Sequence, residues 1–358
     1  MLANLSRRCF TASIGLALAA VAGFEARAQM SAPLVGLIAG ESPSPGGIRP
    51  VLGVMGASSI QAPTAMPREI SRVYLAPTGG WALVQQSRNA PGRAVLRGAR
   101  PAGHSMRPGP AAAQLGLVTF DGAAPGAVRV IADAASNPRL VSFSPLGRSA
   151  ALLAASTVIQ VLTGLDSNPR VAFEAAFHDP SGVKKIAVSD DGQLLAVLTA
   201  AGQVFMLSNS IAPVLVCAAS PTSGIAFLPN QSTAVIADAG SGTINLASLP
   251  SGAPAVRAVA EGMSSSGGEM LVEASRDGAS AFVVEAGSAS ARRVDLTTGS
   301  TQSAALPAVA TRLERLRDGE SFVFSAEPGR SAWFLIGRDF GLQAVFAAAA
   351  STTEVSGQ

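Results

Sequence analysis

Apolar and polar positions follow one another along this chain in a phrase that recurs six times. A short apolar run meets a tight turn ending in Gly or a polar stand-in, and a second apolar run follows. The turns are Pro77-Thr78-Gly79, Ser144-Pro145-Leu146-Gly147, Ser189-Asp190-Asp191-Gly192, Pro229-Asn230-Gln231, Ser275-Arg276-Asp277-Gly278 and Leu316-Arg317-Asp318-Gly319. Counted at the last turn residue, the spacings are 68, 45, 39, 47 and 41. The long spacing contains a 28-residue insertion, Ser87 to Gln114, and shortens to 40 without it. A period of about 40 to 45 residues built from strands marks propeller blades.

Residues 183 to 217 spell out one blade. Val183 to Val188 reads as a first strand, Leu194 to Leu198 as a second, Val204 to Leu207 as a third and Val214 to Cys217 as a fourth. Asp in the first turn tolerates unusual backbone angles, and Gly takes positive φ without a steric penalty. The second run is almost continuously apolar, as expected of a strand covered on both faces. The same reading fits residues 139 to 174, 223 to 259, 268 to 305 and 312 to 347, and 70 to 131 without the insertion. Phe173 to Phe177 and Ala347 to Ala350 are Ala-rich, but neither sustains a helical period for three turns.

The N-terminal part differs. Leu34 to Ile38 and Val51 to Val54 read as two strands without a first pair of their own. Ile48-Arg49-Pro50-Val51-Leu52 echoes Ile211-Ala212-Pro213-Val214-Leu215, so these strands are expected to be third- and fourth-type strands completing a blade begun at the C terminus. Such closure removes exposed sheet edges. The fold class expected is all-β: a single propeller of four-stranded antiparallel blades over residues 29–358, with seven blades, one of them irregular, favoured over six with extra N-terminal strands.

Composition narrows the picture. Of 358 residues, 48% are apolar and 14% charged, ample for a core. One Tyr and two Trp leave little for stacking bases or sugars. Residues 1–28 read as an export signal: Arg7 and Arg8, an apolar stretch from Ser13 to Phe24, and an Ala26-Arg27-Ala28 cleavage site. Ser6-Arg7-Arg8-Cys9-Phe10 resembles a twin-arginine signal, and a general secretory signal is the alternative. Without residues 1–28 the chain keeps 23 basic and 22 acidic residues, so no nucleic-acid partner is expected. No transmembrane anchor is expected either, and a periplasmic or secreted monomer is the reading. Cys9 leaves with the signal, and Cys217, in a strand-like run, is read as a buried inert thiol.

The apolar–Ser-Asp-Asp-Gly–apolar phrase at 189–192 and the Asp-Leu-Thr-Thr-Gly turn at 295–299 resemble exported bacterial propellers of the YVTN/YncE-like type, or the WD40-like repeats of TolB-like propellers. The resemblance spans nearly all of the chain after residue 28, in pattern. It implies an exported binding or scaffolding ring. Some similar propellers are lactonases or quinone-dependent dehydrogenases. The dehydrogenases carry a Trp-containing docking repeat, whereas Trp81 and Trp333 here do not recur with the blade.

Chemistry motifs are sparse. His104 has no Cys or carboxylate at metal-ligand spacing nearby. His178-Asp179 reads as a solvated loop pair rather than a general base or a metal ligand. The nucleophile-elbow spacing, the phosphate-cradling loop and the dinucleotide fingerprint do not occur. The Gly/Ser run from Ser264 to Gly268 reads as a flexible loop between blades. Asp190-Asp191-Gly192 departs from a calcium loop after its second acid and reads as a blade turn. The insertion at 87–114 is rich in Pro and Gly and holds Arg88, Arg93, Arg97, Arg100 and Arg107 without an acid. It is expected to be a mobile excursion between the second and third strands of the first unit. Its guanidinium groups form a candidate partner-binding site.

Two functions follow. The preferred one is an exported non-catalytic propeller that docks a protein or a small anionic ligand, with no cofactor and no catalytic residues. The other is a hydrolase of the lactonase type with a carboxylate-bound metal in the central channel. For that metal Glu174, Asp179, Asp238 and Glu285 are candidates by position.

Overall fold

Residues 183–218 show how the repeated phrase folds. Val183–Val188, Leu195–Thr199, Gln203–Leu207 and Val214–Ala218 pair antiparallel in chain order. Val188 sits opposite Leu195, Leu195 opposite Leu207, and Met206 opposite Val214. Every residue of the second strand is buried. Side chains alternate between the two faces of a strand. Leu195 and Val197 therefore enter one core while Ala196 and Leu198 enter another. Both faces of the sheet are covered by neighbouring sheets, which is why this run is continuously apolar instead of alternating.

The computed structural model describes residues 32–39, 47–54, 57–67, 69–86, 113–263, 266–327, 331–338 and 341–349. The expected export signal at 1–28, Ser264 and Ser265, and nearly all of the insertion, with its five arginines and His104, lie outside the described residues.

Four further sheets repeat the pattern. Sheet 1 contains Ile70–Leu75, Trp81–Gln86 and Gln114–Asp121, with the short strands Ala124–Pro125 and Arg129–Val130 along its third strand. Sheet 2 runs from Leu140 to Ala176, sheet 3 is the one above, sheet 4 runs from Gly224 to Ala260 and sheet 5 from Met270 to Ala305. The second strand of each divides its side chains between two cores. Ala150 and Leu152 pack toward sheet 1, and Ala151 and Leu153 toward sheet 3. Ala234 and Ile236 face sheet 3, and Val235 and Ala237 face sheet 5. The Ala-rich segment near Phe173 is the strand Arg170–Ala176, as the lack of helical period requires.

The closing sheet bears out the four strands read over 312 to 347 but departs from expectation in how the N-terminal strands join it. Glu314–Arg315, Ser321–Glu327, Ser331–Arg338 and Gly341–Ala349 give the C-terminal segment four strands of its own. Leu34–Ala39, Ile48–Val54 and Ala57–Ile60 join it, but not as its third and fourth strands. Ala57–Ile60, a strand the repeat pattern did not signal, lies parallel to the outermost C-terminal strand, with Ser59 opposite Ala348 and Ile60 opposite Ala349. Among the described residues hydrogen bonding thus gives six sheets, and the closing one divides at this short parallel junction into a four-stranded and a three-stranded half. Ile38, Val51 and Ile60 pack with Leu316, Val323 and Phe334 on one side. On the other, Thr64 Oγ1 donates to the carbonyl of Ala123 in sheet 1 at 3.2 Å, which completes the ring.

The recurrent turns meet on one face. Asp190, in the turn of sheet 3, accepts the Leu146 N–H of sheet 2 at 2.7 Å and the Asn230 N–H of sheet 4 at 2.8 Å. Gly192 in the same turn has φ +67°. A Cβ there would collide with Thr163 Cγ2 of sheet 2. In the turn without Gly, the positive φ falls on Asn230 at +54°, a residue that tolerates the left-handed region.

Candidate functional site at the centre of the ring

The first strands of the sheets line the middle of the ring, and they carry the charged residues that interrupt otherwise apolar phrases. A cavity of about 670 Å³ lies among Leu37, Val73, Val141, Glu273, Arg312 and Arg315. A second of about 300 Å³ adjoins it through Val141, Ser142, Glu273 and Leu313 and reaches Lys185 and Glu269. The residues come from opposite sides of the ring, so both cavities sit in its central channel.

Arg315 spans this channel toward the turn face. Its side chain is 3% exposed. Nη1 donates to the Pro145 carbonyl of sheet 2 at 3.0 Å, and Nη2 to Glu273 Oε2 of sheet 5 at 3.3 Å and to the Ala274 carbonyl. The guanidinium lies 5.8 Å from the centroid of Phe322, within cation–π range. Burial pushes the Glu273 carboxyl above the ordinary glutamate range. Arg315 pulls it back in part, and the negative charge of Glu314 adds to the rise. Lys185 Nζ donates to the Met270 carbonyl at 2.8 Å and pairs with Glu269 at 2.9 Å. Burial lowers its pKa, and the Glu269 contact offsets part of that fall.

Arg312 is held differently. Its Nη1 donates to the Ala39 carbonyl at 2.7 Å and lies 3.5 Å from Glu314. Its Nε and Nη2 are buried and have no hydrogen-bond partner among the described residues.

The four carboxylates expected from the sequence are elsewhere, and none lines either cavity. Glu174 is on the outer strand of sheet 2 and accepts from Gln160 Nε2 at 2.6 Å. Asp179 caps its own loop by accepting from the N–H and Oγ of Ser181. Glu285 accepts the N–H groups of Ser266 and Gly268, pinning the loop ahead of sheet 5. Asp238 ends a second strand. Burial alone would raise its pKa, but hydrogen bonds from Ser241, Ser220, Gly240 and Ser223 outweigh burial and hold it low. Each is a structural acceptor. His178 is an exposed loop residue. Cys217 is half-buried rather than buried, and burial raises its thiol pKa, with Asp238 adding to the effect. Trp81 packs edge-on against Phe143 at 5.2 Å, a core contact.

Sequence reasoning missed Lys185, Glu269, Glu273, Arg312, Glu314 and Arg315. A signal was available: charges in or beside the first strand of a repeat, the strand nearest the axis of a ring. Among the described residues no three His, Cys, Asp or Glu side chains converge as a metal centre needs. Nor is any helix there long and apolar enough to cross a membrane.

No protein-family model matches the chain, and no curated protein does. Among solved structures it is similar to a protein of unknown function from Desulfotomaculum acetoxidans, with TM-score 0.55 and 13% identity over 88% of this chain and 99% of that one. It is also similar to the periplasmic gluconolactonase of Pseudomonas aeruginosa, with TM-score 0.51 and 16% identity over 88% of this chain and 97% of that one. Likeness at such identities is one of fold, and together with the ring of meandering sheets it makes this chain an all-β propeller.

Proposed function

We propose that the chain is an exported, non-catalytic propeller that binds a partner, with the central cavity as its small-ligand site. The Ser-Asp-Asp-Gly and Asp-Leu-Thr-Thr-Gly phrases favour the YVTN/YncE-like or TolB-like kind. One observation supports binding over catalysis. Arg315 is tied to Glu273 and Lys185 to Glu269, and each cation also donates to a backbone carbonyl. They shape a polar chamber rather than presenting a nucleophile beside a base. Arg88, Arg93, Arg97, Arg100 and Arg107 would add a grip for an acidic protein surface. Tagged protein purified from its native envelope after mild cross-linking tests this reading. A partner captured by the full chain and lost when Arg88–Arg107 is deleted is the expected result. No partner with either bait, and no small ligand for the cavity, would refute it.

A second reading, a lactone hydrolase, is favoured by the raised Glu273 carboxyl beside Arg315 and by the name of the Pseudomonas aeruginosa neighbour. The donor set does not fit a carboxylate-bound metal, because a divalent ion at Glu273 would have to displace the Arg315 guanidinium. In this reading Glu273 itself would take the proton of an attacking water. A panel of aldonolactones assayed with the wild type and Glu273→Gln decides it: hydrolysis abolished by the substitution supports the enzyme.

A further inference from the structure

We infer that Arg312 anchors a carboxylate-binding site in the central cavity, taking a small mono-carboxylate along the Nε–Nη2 edge of its guanidinium. This rests on the reading of the cavity as a ligand site. The geometry is specific. Nη1 is occupied by the Ala39 carbonyl at 2.7 Å. The opposite edge, Nε with Nη2, is the side-on fork that matches the two oxygens of a carboxylate. Both atoms of that edge are sealed from solvent and unpartnered among the described residues. A permanently charged group with two unmet donors is unfavourable to bury, so an acceptor that meets both gains affinity from relieving that penalty.

Arg312 lines the larger cavity, whose volume of about 670 Å³ admits a small molecule. Because the fork is sealed in this structure, ligand binding requires the Arg312 side chain to turn toward the cavity. The other charges set the ligand's charge. Glu273 and Glu314 line the same cavity as Arg312 and Arg315, so cations and carboxylates balance there. A second negative charge on the ligand would meet Glu314, which already lies 3.5 Å from Arg312. A planar monoanion fits better than phosphate. Ser142 and Thr311, which also line the cavity, can hydrogen-bond a ligand hydroxyl.

The test uses the full chain labelled with ¹⁵N-arginine. The Nε–H resonance of Arg312 is assigned by its loss in Arg312→Lys. Acetate, glycolate and benzoate are titrated against acetamide, benzamide and inorganic phosphate, with calorimetry for affinity. The carboxylates are expected to shift the Arg312 resonance, and Arg312→Gln is expected to weaken their binding roughly 10- to 100-fold, the worth of one charge-assisted bidentate contact. Carboxylate affinity unchanged in Arg312→Gln, or phosphate binding more tightly than acetate, would overturn the inference. Amides that bind the cavity where carboxylates do not would overturn it while leaving the cavity a ligand site. A wild-type chain that binds none of the probes would count against both readings.

Discussion

Replacing Asp190 with Ala should weaken the whole ring, because this side chain couples three sheets at their turns. It is 5% exposed. One oxygen accepts the Leu146 N–H at 2.7 Å and the other the Asn230 N–H at 2.8 Å. Each charge-assisted bond of this kind contributes about 1.5–3 kcal/mol, and its loss leaves the N–H of half-buried Leu146 without its acceptor while that of exposed Asn230 can turn to water. Allowing some rehydration of the turns, Asp190→Ala should cost about 3–5 kcal/mol. For the 275 described residues an unfolding entropy of about 2.1 cal/mol/K each makes that a Tm drop of about 5–9 °C. Asp190→Asn keeps one acceptor and points an amide donor at another donor, so about 2–3 kcal/mol should be lost. Asp191→Ala is the control. Its carboxylate is exposed and, among the described residues, accepts within its own turn, from Ser189 Oγ at 2.6 Å and Gln193 N at 3.0 Å. That change should cost about 0.5–1 kcal/mol. Urea and thermal denaturation followed by circular dichroism measure all three. Equal losses for Asp190→Ala and Asp191→Ala would refute the reasoning, since bridging between sheets would then contribute nothing beyond turn formation.

Three further outcomes are expected. Gly192→Ala should cost several times more than Gly182→Ala: both have positive φ, but an added Cβ at 192 meets Thr163 and Ser149 while at 182 it meets nothing within 4 Å, and denaturation midpoints of the two variants check this. A glutamate whose folded pKa is raised binds its proton more tightly when folded, so Glu273 costs stability as pH rises from the ordinary value of 4.5 through the raised one. The stability of Glu273→Gln relative to wild type should therefore increase between pH 4 and pH 8, and urea midpoints that move the other way would refute the assignment. Gln86 sits directly opposite Gln114, so deleting residues 88–107 shortens a connection between paired strands. By loop closure it should change stability by no more than about +1 kcal/mol, and a large loss of Tm would mean that the segment packs on the ring.

The repeat was legible because its cause is local. A turn that needs Gly or Asn at positive φ, flanked by strands that must be apolar, leaves its mark within ten residues. The strand Leu195–Thr199 could be read from its apolar run, and Gly192 from its turn. The N-terminal strands were half-legible. Leu34–Ala39 and Ile48–Val54 are apolar enough to read, but Ala57–Ile60, with the sequence Ala-Ser-Ser-Ile, carries no apolar run and is a strand through its partners on either side. The candidate site was hidden more deeply. Glu174, Asp179, Asp238 and Glu285 stood out for their place in the repeat, yet each bonds to its own neighbourhood along the chain.

By itself, then, the sequence determined the period, the antiparallel meander and the two-sided burial of each second strand, because these depend on residues a few positions apart. Which charges would share a chamber was decided by the tertiary structure alone. Arg315 reaches Pro145 across 170 residues of chain and Glu273 across 42, and Arg312 meets Ala39 across 273. Those distances close when the sheets complete their circuit and turn their first strands toward a common axis. No local pattern encodes where a ring closes, because closure depends on how every sheet packs on the next.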